Sequence, residues 1–170
     1  MHYQYTPHLL MIRHTSNQPN GSFLADLGSS PRPALVLGIA GAIPFTHLAI
    51  LSLAAPEYIQ LIVQAQCAYA ASILSFIGAV HWGFALSNPV RLQPDWGTLG
   101  YSVTPSLVAW LALLMKPGYG LVTLSIGLLY AFARDMNTKC FPVWYYALRK
   151  VLTTLAVSSV LITTGAYCLN

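Results

Sequence analysis

Five long apolar stretches, parted only by short polar turns, fill this chain from residue 34 to its end. They cover about residues 34–54, 59–86, 99–115, 119–133 and 151–169. The breaks between them carry helix-stopping chemistry: Pro56, Asn88-Pro89, Lys116-Pro117-Gly118 and Arg134-Asp135. A helix needs about 20 apolar residues to cross a bilayer, within a range of roughly 17–25. The first, second and fifth stretches meet that length. The third and fourth are marginal, at about 25 Å or less for a rise of 1.5 Å per residue. Their tight link at 116–118 predicts a helical hairpin. Both are counted as spans because a charge or polar turn bounds each end; a re-entrant pair is the alternative. The expected fold is all-α, a polytopic membrane protein with five transmembrane helices.

Composition agrees. Charged residues make up 7% of the 170, against roughly 25% in ordinary soluble domains. A soluble fold of this length needs far more charge on its surface. The net charge of +4 arises from eight basic residues facing only four acids. That is a scarcity of acids rather than a dense basic patch, so no nucleic-acid partner is expected.

Residues 1–33 differ from the rest. They hold Pro7, Pro19, Pro31 and Pro33 and have no long apolar run. The longest, 8–12, is too short for the core of a signal peptide. Arg13 and several hydroxyls precede the first acid, Asp26, which gives a faint transit-peptide character. The expectation is a Pro-rich, non-membrane tail that is either targeting sequence or partner-bound.

Orientation follows from charge, because cytoplasmic or matrix loops hold the excess Lys and Arg. With five spans, the tail and loops two–three and four–five share one side. That side carries Arg13, Arg32, Arg91, Arg134, Lys139, Arg149 and Lys150, and the other only Lys116 with Glu57. The N-terminus is therefore expected on the matrix or cytoplasmic side and the C-terminus opposite. Trp96, Tyr101 and the run Phe141-Pro142-Val143-Trp144-Tyr145-Tyr146 sit beside cations, as residues at a headgroup boundary do. Residues 136–150 read as a segment lying along the inner leaflet. Arg134, Lys139, Arg149 and Lys150 are candidates for holding an anionic phospholipid such as cardiolipin; simple anchoring is the alternative.

Ala71, Ser75, Ala79 and Gly83 recur every four residues, and Gly38 and Ala42 repeat the idea in the first span. Small residues at this spacing let helix backbones approach. Close packing of the first two spans, or docking of a partner's helix, is expected there.

Two histidines, His47 and His81, lie inside spans, and intramembrane ionisable residues are functional candidates by default. Bis-histidine haem ligation fails on depth. His47 lies roughly 20 Å from the inner end of its span and His81 roughly 8 Å, at 1.5 Å per residue. His81 remains a candidate ligand for haem or quinone shared with a partner; the plainer reading is a hydrogen-bonded neutral imidazole. Pro44 and Pro105 fall within spans, and each frees a carbonyl one turn back. The last span is rich in hydroxyls, from Thr153 to Thr164. These can bond to their own helix or across to another. The acids Glu57, Asp95 and Asp135 fall at helix ends. No nucleophile, base and orienting group can be assembled from the spans, so no enzyme activity, metal or cofactor is expected. Cys67 and Cys168 lie toward the outer side, and a disulfide between them is an open alternative if that side is oxidising.

Three segments resemble a known family. They are Leu37-Gly38-Ile39-Ala40-Gly41-Ala42-Ile43-Pro44-Phe45, the run Ser75-Phe76-Ile77-Gly78-Ala79-Val80-His81-Trp82-Gly83 with the residues before it from Ala71, and Tyr101-Ser102-Val103-Thr104-Pro105 continuing to Trp110. Together they resemble the transmembrane protein 69 family, also catalogued as domain-of-unknown-function family 3429, over about residues 33–165. The resemblance implies a small five-span protein of a mitochondrial inner membrane or bacterial plasma membrane. The family has no established activity, so no catalytic residue carries over.

The function expected is a non-catalytic accessory subunit of a larger inner-membrane assembly, such as a respiratory-chain or ATP synthase complex. One alternative is a small carrier using Pro44, His47, His81 and the hydroxyls of the last span. The other is a haem or quinone binder at His81.

Overall fold

A computed structural model describes residues 22–87, 96–138 and 141–170. Every regular element among them is helical. A short helix α1 (Phe23–Gly28) leads into α2 (Arg32–Ala54); a single 3₁₀ turn (Pro56–Tyr58) separates α2 from α3 (Ile59–Ser87); α4 (Trp96–Leu113), α5 (Pro117–Asn137) and α6 (Val143–Leu169) follow. Prolines mark the starts. Pro33 and Pro117 occupy the first two positions of α2 and α5, where a missing N–H costs nothing and the fixed φ suits a helix.

The helix bounds hold three surprises against the apolar pattern. α1 has no counterpart in it. α5 runs on through Arg134-Asp135 to Asn137, so that charged pair does not stop the helix. α6 begins at Val143, so residues 143–150 are its first two turns rather than a segment lying on the leaflet. The reason is the same for both helices: Asp135 of α5 and Arg149 of α6 neutralise each other inside the bundle, while Arg134 and Lys150 stay exposed. The tail up to residue 21, with Arg13, falls outside the described residues, as do Arg91, Asp95, Lys139 and Cys140.

α3 lies at the centre and packs against α2, α4, α5 and α6; α6 also packs on α1, α2 and α5. Successive long helices reverse direction. One end of the bundle gathers the starts of α2, α4 and α6 with the ends of α3 and α5, and Leu148 and Leu152 of α6 press on Gly38 of α2 there. At the other end the Cys67 thiol reaches the Pro117 carbonyl at 3.7 Å, and the Tyr167 ring covers Gly118. The interior is Phe45, Val63, Leu74, Leu121, Leu124, Leu128 and Val160, all essentially without exposure. The outside is also apolar: Ile39, Ile43 and Ile50 on α2, Leu107, Trp110 and Leu113 on α4, Val122, Ile126 and Leu129 on α5. An apolar exterior on every long helix, with ion pairs inside, is the arrangement of a protein surrounded by lipid. Among the described residues, three helices are long and apolar enough to cross a membrane: α2, the 3₁₀ turn with α3 (Pro56–Ser87), and α6.

Backbone approaches close at three glycines. A Cβ on Gly78 would sit 2.6 Å from the Ser102 carbonyl oxygen, one on Gly120 2.6 Å from that of Ala112, and one on Gly127 2.7 Å from a Leu74 methyl. The four-residue stripe is placed differently. Ala71 is buried and Ser75 partly so, but Ala79 and Gly83 face outward, and nothing lies within 4 Å of a Cβ on Gly83. A step of four residues overshoots one turn by about 40°, so the stripe winds off the buried face. The face α3 buries passes instead through Ala71, Leu74, Gly78, His81 and Ala85. Gly38 and the buried Ala42 lie on α2, with Gly38 receiving α6 rather than α3.

Candidate functional site

Where the ends of α3 and α5 meet the starts of α4 and α6, a polar cluster is built around one carboxylate. Asp135 is completely buried. Its Oδ1 lies 2.9 Å from His81 Nε2, and its Oδ2 accepts from Arg149 Nε at 2.6 Å and from the Tyr145 hydroxyl at 3.0 Å. An ionised carboxylate only accepts, so His81 Nε2 carries the proton of that bond. Arg149 Nη1 donates on to Thr153 Oγ1 at 3.0 Å. Three helices are thus tied through a single side chain. The spacing on α6 explains why this works locally: Tyr145, Arg149 and Thr153 are four residues apart and lie on one face.

Aromatic rings wall the cluster. Tyr101 of α4 stands edge-on to the His81 imidazole at 4.7 Å, and Phe141 does so from the α6 side at 5.5 Å. The exposed Arg134 guanidinium lies 4.8 Å from the centre of the Tyr101 ring. Two polar atoms of the cluster are buried without a hydrogen-bond partner among the described residues, the Tyr101 hydroxyl and Arg149 Nη2.

The sequence-predicted residues divide as follows. His81 is the imidazole of the cluster, hydrogen-bonded as the plainer reading has it. His47 faces outward from the middle of α2, so the two histidines are not brought together. Arg149 is buried and turned onto Asp135, whereas Arg134 and Lys150 are exposed. Asp135, placed by the sequence pattern at a helix end and without a role, is the hub of the site. Cys67 and Cys168 are free thiols, the first buried and the second exposed, so no disulfide joins them. Pro44 lies inside α2, and three residues before it the Gly41 carbonyl accepts from the Tyr69 hydroxyl of α3 at 2.8 Å. Pro105 packs its ring on Gly78. The α6 hydroxyls of Thr154, Ser158, Thr163 and Thr164 bond back to their own helix. Sequence reasoning missed Gln66, which is fully buried with both amide atoms unpartnered among the described residues.

Chemically, the cluster supplies an imidazole, a carboxylate, a guanidinium and two phenols; among the described residues no thiol or aliphatic hydroxyl is bonded to His81. Among the described residues no group of three metal-ligating side chains comes together. The arrangement can hold helices in register and can present donors to an acceptor at the bundle end.

An apolar-coated helical bundle fastened internally by a buried ion pair defines an integral membrane protein. The family model described as "Protein of unknown function (DUF3429)" matches residues 30–165, and the chain belongs to that family. It is 43% identical over 136 residues to transmembrane protein 69 of Xenopus tropicalis, covering 78% of this chain and 54% of the relative. To transmembrane protein 69 of Mus musculus it is 37% identical over 145 residues, covering 84% of this chain and 59% of the relative. The chain thus spans little more than half the length of the curated relatives it matches. No solved structure gives a significant match.

Proposed function

We propose that this chain is a non-catalytic accessory subunit of a larger inner-membrane assembly of the mitochondrial respiratory chain or ATP synthase. The observation that carries the reading is the closure of the Asp135 cluster. Both carboxylate oxygens are taken up by donors of the same chain. The groups best suited to chemistry are spent on holding α3, α5 and α6 together. What the chain offers to its surroundings is an apolar exterior, suited to lipid and to other membrane subunits.

The reading takes α4 and α5 as spans alongside α2, α3 and α6. They are 18 and 21 residues long, about 27 and 31 Å at 1.5 Å per residue, close to the hydrocarbon thickness of about 30 Å. Both turn apolar faces outward. Five spans put the basic end of the bundle on the matrix side and Cys168 on the other. Purification in mild detergent, followed by blue-native electrophoresis and mass spectrometry, tests the proposal. Co-migration at fixed stoichiometry with subunits of one complex is expected. Migration alone, as a monomer or homodimer, refutes it.

A further inference from the structure

We infer that the basic end of the bundle holds a phosphate-bearing anion, the headgroup of an anionic phospholipid, on the Tyr101 hydroxyl and Arg149 Nη2. Both atoms are buried and unpartnered among the described residues. Nη2 can only donate, and a tyrosine hydroxyl can donate as well. Buried donors without acceptors are costly, so each points to an occupant. The other donors of Arg149 are committed, Nε to Asp135 and Nη1 to Thr153. Nη2 is the one guanidinium nitrogen left open, and its N–H groups can donate to a phosphate oxygen.

Charge favours an anion over a neutral acceptor. Arg149 balances Asp135, and His81 gives that carboxylate a further donor. Arg134 and Lys150 are both exposed, Arg134 lying over the Tyr101 ring. Neither forms an ion pair within the described residues. Among the described residues, the end therefore carries exposed positive charge beside the cluster. The inference rests on the reading above only in placing this end at the leaflet surface.

The test uses the full chain, purified and reconstituted into vesicles of phosphatidylcholine alone or of phosphatidylcholine with a minority of cardiolipin. Lipid retained on re-extraction is then quantified. Selective retention of cardiolipin is expected. Tyr101→Phe keeps the ring against His81 and under Arg134 and removes only the hydroxyl; it should weaken retention about ten-fold, the scale of one hydrogen bond to a charged group. Arg134→Gln, at an exposed position, should weaken retention without risk to the fold. Inorganic phosphate titrated into the detergent-solubilised protein separates the sources: displacement of cardiolipin assigns the site to phosphate as such, and failure to displace assigns it to the lipid. Equal retention of both lipids, or retention unchanged in both variants, overturns the inference and leaves water as the occupant. Blue-native migration and lipid retention are read separately, so either proposal can fail without the other.

Discussion

Asp135→Asn is the substitution that exposes what the cluster does. The amide is the same size as the carboxylate and can re-pair in part. Its oxygen accepts from Arg149, and its NH₂ donates to the other tautomer of His81. The same amide oxygen, at the Oδ2 position, can keep the 3.0 Å bond from Tyr145, but the charge opposite Arg149 disappears. Arg149 is 8% exposed and becomes a buried cation with no counter-ion. Breaking a buried pair from one side costs roughly 3–5 kcal/mol, whereas replacing both partners by apolar groups of similar volume is often close to neutral. The double variant Asp135→Asn with Arg149→Met should therefore be more stable than Asp135→Asn alone. The coupling should lie at the upper end of the roughly 0.5–3 kcal/mol found for residues in contact. Unfolding with a denaturing detergent in mixed micelles, followed by circular dichroism, gives each leg of the cycle. A single variant within about 1 kcal/mol of the parent protein, or strictly additive costs in the double, refutes the argument that this pair fastens the helices.

Three further outcomes follow from the packing. Gly78→Ala should destabilise by roughly 1–3 kcal/mol, as overpacking does, because the new methyl meets the Ser102 carbonyl at 2.6 Å; Gly83→Ala should be neutral or slightly stabilising, since nothing lies within 4 Å, and the same unfolding assay compares them. Gln66→Leu should leave stability unchanged or raise it by about 1 kcal/mol, because it removes two buried polar atoms that bond nothing among the described residues; a large loss shows that the amide has a partner. In the folded protein a maleimide should modify the exposed Cys168 quickly and the buried Cys67 only on unfolding, which mass spectrometry after proteolysis reads directly.

Much of the architecture is written in the apolar lengths. The five stretches match the five long helices, because Pro56 and Lys116-Pro117-Gly118 stop helices by lost donors and free backbone. The site was less legible. Asp135 looks like a terminus when read beside Arg134, since charge in an apolar segment ordinarily marks a boundary. Only the three-dimensional meeting of α3, α5 and α6 shows that donors wait for it. The clue was present: Tyr145, Arg149 and Thr153 share one helical face, and an arginine buried on such a face needs an acid opposite. The small-residue stripe misled for a geometric reason, because a repeat of four is not a repeat of 3.6. Gly78, next to that stripe and outside its spacing, is the residue that contact with α4 requires to be small.

The central claim is a bundle that crosses the membrane an odd number of times with its basic end on one side. Cysteine accessibility in sealed vesicles of known orientation tests it most directly. Cys140→Ser removes one competing thiol, and Ser22→Cys places a reporter before α1 while Cys168 reports on the end of α6. An impermeant maleimide added outside right-side-out vesicles should label Cys168 at once and the position-22 reporter only after permeabilisation. Labelling of both from the same side contradicts five spans, and with them the proposed orientation of the bundle.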